Sequence, residues 1–413
     1  MIVKNNNKIF RNFILSLPIL FGILSNTAIV NFNTVGIPLF ILIFPLVFLI
    51  TGIDKILISK IEMFSLVLIL FLFLCVSLGH VISIFKNVNT SELTQFCARI
   101  SFLLSFYVML HYYRYLKIVN KENIFFCSVK TYLLIAIFYG LYQMVAQRLG
   151  YPLFLDWVAN NKSFTVGAIG GWLGADMLRV RSFWSEPSMS AFPVAFITYL
   201  IIRSTSTVKM IFLLMIISIY TFLTFSRTVI TAYIFVIILS FFVFTLRKFI
   251  RSERVKNAIC KFILLAIIFF GFIWPYFVVN FFDDLSSIGR SSSVIVGMRI
   301  WIDNFLVGSG YNSFSEVQFQ YLTGLKYYHE ESIVHNSFVS ILQQAGILGF
   351  IAIFYPLLKV VKDSRSAFYI VSPIIIPIIL IFTTGGGLDY FSYYWTLTPA
   401  LIVFDSFKSR RAT

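Results

Sequence analysis

Long apolar runs alternate with short polar segments along the whole chain. The runs are about 16 to 24 residues long, which is enough for a helix to cross a bilayer. Open strands cannot cross lipid because their backbone groups would stay unsatisfied, so the pattern predicts an all-α polytopic bundle. We predict about twelve transmembrane helices, at approximately 13–30, 35–52, 61–83, 94–112, 128–147, 188–202, 210–225, 228–246, 262–280, 335–358, 367–383 and 390–406.

Two long polar stretches interrupt this pattern. The first predicted loop covers 148–187 and the second covers 283–334, whereas the other connections are short. Neither a repeat nor a low-complexity linker divides the sequence, so we expect one membrane domain over 1–413. Long insertions in a tight bundle usually carry binding or chemistry, so we expect function in these two loops.

Composition and charge agree with a membrane protein. Hydrophobic residues make up 59% of the chain, charged residues 12%, and the mean hydropathy is +0.89; a soluble domain is about 25% charged. With the N-terminus inside, 23 of the 33 Lys and Arg residues fall on the cytosolic side. This bias predicts that both termini are cytosolic and that both long loops are outside. The net charge of +16 is thus a topology signal, and we expect no nucleic-acid partner.

The predicted spans lack acidic residues in their central parts. Ion-coupled transporters and proton relays usually need carboxylates inside the membrane, facing a cavity. The pattern therefore favours chemistry at the outer interface over coupled transport.

The unusual polar residues all fall on that outer side. Arginine binds phosphate oxygens in a bidentate way and stays charged, so several arginines beside a bilayer are suited to a lipid-linked phosphate or diphosphate. The candidates are Arg179, Arg181 and Glu186 in the first loop, Arg227 at a tight hairpin, Arg290 and Arg299 in the second loop, and His335 at the start of a span.

Each candidate also has a structural explanation. Arg179 and Arg181 could anchor the chain at the membrane interface. Glu186, beside a proline, suits the first turn of a helix. Arg227 has almost no loop around it, which favours a functional role. His335 could be interfacial, or it could accept a proton from a sugar hydroxyl.

Three further motifs carry weaker signals. The histidines of "HEESIVH" are six residues apart, which does not place both on one helical face as a zinc site needs. The acidic pair at 283–284 is more typical of a helix end than of a metal site. "GSGYNSF" lacks the lysine of a phosphate loop and is better explained as a turn.

The order of four motifs resembles the O-antigen polymerase and O-antigen ligase superfamily. These are "RSFWSEPS" before a span, "SRT" at a tight hairpin, "MRIWIDNFLVGSGYNSF" in the large loop and "HNSFVSILQQAGILGF" after it. The resemblance covers roughly 179–350 and the layout of spans.

The resemblance implies a GT-C-like membrane glycosyltransferase of the inverting type that uses neither a nucleotide sugar nor a metal. Its donor would be a glycan on undecaprenyl diphosphate at the periplasmic face of the bacterial inner membrane. Arg299 and Gly310 match the R-x10-G spacing of polymerase loops. His335 matches the family histidine, which would act as the general base or would orient the acceptor. Arg179, Arg181 and Arg227 match the upstream arginines less closely, and Glu186 is the second candidate for the base.

The resemblance leaves the reaction partly open. A polymerase joins two lipid-linked repeat units, with a chain-length regulator as a possible partner, whereas a ligase transfers the glycan to lipid A-core. The R-x10-G spacing favours the polymerase. A flippase for the same lipid is a third alternative, although a flippase needs a polar central cavity. Phe183, Trp184, Trp172 and Trp301 could stack on sugar rings, but aromatic belts at the membrane interface are the commoner explanation.

Overall fold

The computed structural model of the protein is mostly helical. It describes residues 2–24, 27–32, 35–51, 108–109, 111–113, 115–152, 179–184, 187–281, 285–310, 313–325, 331, 333–363 and 368–384. Its helices are α1 (Ile2–Ile23), α2 (Ile43–Thr51), α3 (Glu122–Leu149), α4 (Ala191–Ser204), α5 (Thr207–Leu223), α6 (Arg227–Phe249), α7 (Glu253–Phe281), α8 (Leu285–Asp303), α9 (Phe314–Val317), α10 (Ser337–Asp363) and α11 (Phe368–Thr384).

The apolar helices identify a membrane protein. Within the described ranges, three helical stretches are long and apolar enough to cross a bilayer, at 123–149, 227–249 and 253–280. Shorter apolar helices occupy 10–23, 207–223, 337–351 and 372–383. The predicted spans 61–83 and 390–406, and most of 94–112, lie outside the described residues, so the count of twelve stays a prediction.

The predicted boundaries of the first two spans are wrong. Between α1 and α2 the chain forms an antiparallel hairpin of β1 (Ala28–Phe32) and β2 (Val35–Pro38). Asn31 pairs with Gly36 near its tip, and a bulge follows Ala28. The β-branched residues of this stretch suit strands as well as helices, so apolar length alone did not separate the two.

The described residues form two compact units, one built from 2–51 and 108–249 and the other from 250–384. In the first unit, α4 is the central helix, and every residue from Ala191 to Ile201 is buried. It packs against α3, α5 and α6. A helix that is apolar all round must be covered on all sides, which explains this central position.

The helix α6 shows how the outer helices of this unit are divided between protein and lipid. Val229, Val236 and Val243 are buried, while Phe241 and Phe244 are more than half exposed. Large apolar side chains left exposed on one face of a 23-residue helix are suited to lipid tails.

In the second unit, α7 packs against α8 and α11, and α10 packs against α8 and α11. The helix α8 lies inside the stretch that the sequence predicts as a loop. Its serines conceal it in a hydropathy profile, yet Ser292 and Ser293 are buried and donate to backbone carbonyls three residues earlier. Its apolar face forms a core with the neighbouring segments, made of Val294, Val296, Ile300, Phe314, Val317, Val334 and Val339.

The helix α10 is interrupted at Gly346, whose φ of 64° and ψ of −170° are not helical. A continuous helix would bond the Ile347 and Leu348 N–H groups to the carbonyls of Gln343 and Gln344. The segment 305–310 supplies all four missing partners.

All four bonds have ordinary lengths, between 2.7 and 3.2 Å. The N–H groups of Ile347 and Leu348 donate to the carbonyls of Phe305 (2.9 Å) and Leu306 (3.2 Å). The N–H groups of Ser309 and Gly310 donate to the carbonyls of Gln343 (2.7 Å) and Gln344 (3.2 Å). Broken helices are stable in lipid only where the freed backbone groups are satisfied in this way.

Candidate functional site

His335 lies at the point where α10 begins, as the sequence predicts. Its backbone N–H donates to the Ser293 hydroxyl at 3.1 Å, and that hydroxyl donates to the Arg290 carbonyl at 2.7 Å. Asn336 caps the helix, because its Oδ1 accepts from the N–H groups of Phe338 and Val339 at 3.0 and 3.2 Å. The backbone at His335 is therefore held from both sides.

Close packing brings α8 to this junction. A Cβ on Gly297 would lie 2.9 Å from a Val334 methyl and 3.0 Å from a Val339 methyl. Glycine at this position thus lets the chain on both sides of His335 approach α8 closely.

The imidazole of His335 pairs with Glu331. Its Nε2 lies 3.2 Å from the Glu331 Oε2, and the two side chains are 21% and 23% exposed. The pair is thus partly shielded but open to a reactant. Glu331 was not among the residues predicted from the sequence, and its position four residues before His335 was the available signal.

Arg290 and Arg299 lie on opposite faces of α8. Nine residues of α-helix correspond to roughly 13.5 Å of rise and two and a half turns. The Arg290 side chain is exposed, one turn from the Ser293 that contacts His335. Arg290 is therefore the arginine of this helix that lies on the histidine side.

Arg299 instead holds the large loop. Its Nη1 donates to the backbone carbonyls of Tyr321 at 2.8 Å and Thr323 at 2.7 Å. The Tyr321 phenol donates a hydrogen bond to Asp303, which lies one turn further along α8. Burial is the main cause that raises the pKa of Tyr321 to about 12, and the contact with Asp303 is the second cause. We therefore assign Arg299 a role in anchoring 321–323, and its predicted contact with a phosphate stays a prediction.

Replacing Arg299 with alanine is expected to lower the free energy of unfolding by about 1 to 3 kcal/mol, because the partly buried Tyr321 carbonyl and the exposed Thr323 carbonyl both lose a charged donor. Arg299→Lys should keep most of this stability, since one ammonium carries three donors. Thermal unfolding of the purified protein measures both, with the exposed Arg254→Ala as control. An unchanged Tm in Arg299→Ala would contradict the anchoring role.

In the first unit, Arg179 holds the tight hairpin between α5 and α6. Its Nε donates to the Thr224 carbonyl at 3.0 Å and its Nη2 to the Phe225 carbonyl at 3.2 Å. Phe225 has a φ of 45°, so the turn is tight, and Arg227 follows as the first residue of α6. Arg179 thus positions the segment that presents Arg227.

Arg227 itself has an exposed side chain at the N-terminus of a 23-residue helix. The first N–H groups of a helix lack intrahelical partners and attract anions. An arginine at this point adds charge to a place already suited to a phosphate group.

The backbone after Arg181 is locked by Gln143 of α3. The Gln143 Oε1 accepts from the N–H groups of Arg181 (3.3 Å) and Ser182 (2.8 Å), and its Nε2 donates to the Ser182 carbonyl (3.2 Å). Ser182 has a φ of 56°, a left-handed conformation that needs such support. Gln143 was not among the residues predicted from the sequence, because a single polar residue inside a span carries no motif.

Arg181 is buried, with 8% of its surface exposed. Burial lowers the pKa of its guanidinium, and the Tyr139 hydroxyl acts in the opposite direction. Phe183 stacks on the Tyr139 ring at 4.9 Å, and Trp184 is buried against Tyr220. The Trp184 side chain is therefore part of the core, and it is exposed neither to a sugar nor to the membrane interface.

Some predicted positions lie outside the described residues. These are Glu186, Trp172 and the acidic pair at 283–284.

A comparison with known protein families gives a match that includes several of these residues. Residues 210–354 match the sequence model of the O-antigen ligase family. The matched segment covers about a third of the 413 residues and contains four of the candidates, Arg227, Arg290, Arg299 and His335. Comparisons with curated proteins and with solved structures found no significant match. The match over 210–354 confirms the resemblance of this segment to the O-antigen polymerase and ligase superfamily.

Proposed function

We propose that this protein is a polymerase of O-antigen or a related surface polysaccharide, joining undecaprenyl-diphosphate-linked repeat units by inverting glycosyl transfer. The reaction takes place at the periplasmic face of the bacterial inner membrane, in a bundle of about twelve spans with cytosolic termini. The observation that carries the proposal is the family match over 210–354, which includes the arginines and the histidine selected from the sequence.

The chemistry follows from the charges involved. An acceptor hydroxyl attacks the anomeric carbon of the donor, its proton passes to His335, and the bond to the diphosphate breaks. Negative charge develops on the bridging oxygen, so a guanidinium directed there stabilises the transition state more than the ground state. Arg227 and Arg290 are the candidates for this contact, because both side chains are exposed.

The remaining arginines make structural contacts. Arg179 and Arg299 hold backbone carbonyls, and Arg181 is buried. We propose that these three keep the loops in position. Glu186 remains the second candidate for the base.

A ligase is the second candidate function, because the matching family is described as O-antigen ligase. Both reactions use the same donor, and they differ only in the acceptor. The acceptor offered in the assay therefore separates them.

The test uses the purified full-length protein with lipid-linked repeat units and no lipid A-core. Products longer than one unit establish the polymerase. Transfer only after lipid A-core is added establishes the ligase. If neither reaction occurs where a control enzyme works, the glycosyltransferase proposal is overturned and lipid flipping in vesicles is the next assay.

Arg290→Ala should lower kcat by about 10- to 100-fold. This is less than the roughly 10²- to 10³-fold loss for a buried donor to a developing oxyanion, because the Arg290 side chain is exposed to solvent. Single-turnover rates of glycan joining measure it, with the exposed Arg251→Ala as the matched control. Equal rates in the two variants would remove Arg290 from the site.

A further inference from the structure

We propose that Glu331 is a positioning residue for His335, and that its carboxylate sets which ring nitrogen is free to accept a proton. This inference rests on the proposed function, since it concerns the base of that reaction. Glu331 itself need not touch the substrate.

The contact between the two side chains determines the tautomer of His335. The His335 Nε2 lies 3.2 Å from the Glu331 Oε2. A carboxylate can only accept, so a neutral imidazole must present its proton at Nε2. Among the described residues the Nδ1 of His335 has no hydrogen-bond partner, so the lone pair of this nitrogen remains available.

Hydrogen bonds also fix the main chain around His335. The Ser293 hydroxyl fixes the His335 N–H, and the Asn336 cap fixes the start of α10. With the main chain held, the remaining freedom of His335 is the rotation of its side chain. Glu331 restrains that rotation and selects the tautomer with one contact.

The chemistry balances with no further reactant. The acceptor hydroxyl gives its proton to Nδ1, its oxygen forms the bond to the anomeric carbon, and the electron pair of the broken bond leaves with the diphosphate. His335 is then an imidazolium, and the Glu331 carboxylate balances its new charge. A buried carboxylate performs the same two tasks, orientation and charge balance, in serine hydrolases.

A purely structural role for this ion pair would have a different effect on the kinetics. Partly exposed ion pairs between residues four apart contribute about 0 to 1 kcal/mol to stability. If the pair of Glu331 and His335 were only structural, its loss would leave catalysis unchanged. A positioning role predicts a loss in kcat with KM retained, because the reacting group is misplaced while substrate binding is intact.

The experiment compares Glu331→Ala, Glu331→Asp and the matched control Glu253→Ala, whose side chain is exposed at the start of α7. We expect Glu331→Ala to lower kcat by about 10- to 100-fold, below the roughly 10²- to 10⁴-fold contributed by general-base catalysis as a whole. KM should change by less than about twofold. Glu331→Asp should recover part of the rate, and Glu253→Ala should match the wild type.

A spectroscopic readout is independent of activity. The chain has four histidines, so nitrogen NMR of histidine-labelled protein is tractable, with His335→Gln assigning the signal. At a pH where the ring is neutral, the wild type should show the single tautomer protonated at Nε2. Glu331→Ala should show a mixture of both tautomers.

The outcomes separate the two proposals. An active wild type with unchanged kcat in Glu331→Ala, or with the same tautomer in both proteins, overturns the inference and leaves the proposed function standing. A wild type that forms no glycosidic bond with either acceptor overturns the proposed function and, with it, the role of Glu331.

Discussion

Replacing His335 with alanine is expected to lower kcat by about 10²- to 10⁴-fold, the range that a general base contributes. The Tm should hardly change, because the side chain is partly exposed and the contact with Ser293 uses the backbone N–H. Single-turnover joining of two lipid-linked units measures the rate, and thermal unfolding of the same sample measures the fold.

The neighbouring residue supplies the contrast for this prediction. Asn336→Ala removes the cap of α10 and should cost about 0.5 to 2 kcal/mol of stability. If His335→Ala lowers the Tm as much as Asn336→Ala does, or if it keeps full activity, His335 is not the base. Glu186→Gln is then the next variant to assay.

Replacing Gly346 with alanine is expected to have the largest effect on the fold. A Cβ there would lie 2.2 Å from the Leu306 carbonyl oxygen, and the residue has a φ of 64°. The strained backbone costs about 1 to 3 kcal/mol, and each backbone bond lost between 305–310 and α10 costs about 0.5 to 1.5 kcal/mol. If all four bonds are lost, we therefore expect a loss of about 3 to 9 kcal/mol, a large part of the total stability of a typical domain.

Gly324 is the matched control for this substitution. It also has a positive φ, of 77°, but a Cβ there would meet nothing within 4 Å. Gly324→Ala should therefore show the backbone cost alone. Intrinsic fluorescence during heating compares the two variants, and equal shifts in Tm would mean that the contact with 305–310 contributes nothing.

The long apolar runs of the sequence predicted a helical fold, and the structure is mostly helical. The tight hairpin before Arg227 and the start of a helix just after His335 are both confirmed. The hairpin at 28–38 was missed because its residues are apolar in either state. The helix α8 was missed because Ser291, Ser292 and Ser293 lower its hydropathy, although their hydroxyls are buried.

The candidate site was predictable only at the level of residue types. Arginines and a histidine on the outer side could be selected from the spacing of spans, and the family match includes four of them. Their individual roles depend on tertiary contacts. Arg299 bonds carbonyls 22 and 24 residues away, Arg179 bonds carbonyls 45 and 46 residues away, and Gln143 contacts Ser182 across 39 residues. No local pattern encodes such pairings, because they depend on how the helices pack.

The backbone bonds that join 305–310 to the interrupted helix α10 have a consequence for how this sequence can evolve. The bonds between 305–310 and α10 join main-chain atoms, which are the same for all residues except proline. Most side chains of the segment are therefore replaceable, while Gly308 and Gly346 are fixed by close approach of another backbone. Chains that share this architecture are expected to share scattered glycines and little else over this stretch, which leaves short and degenerate motifs even where the geometry is retained.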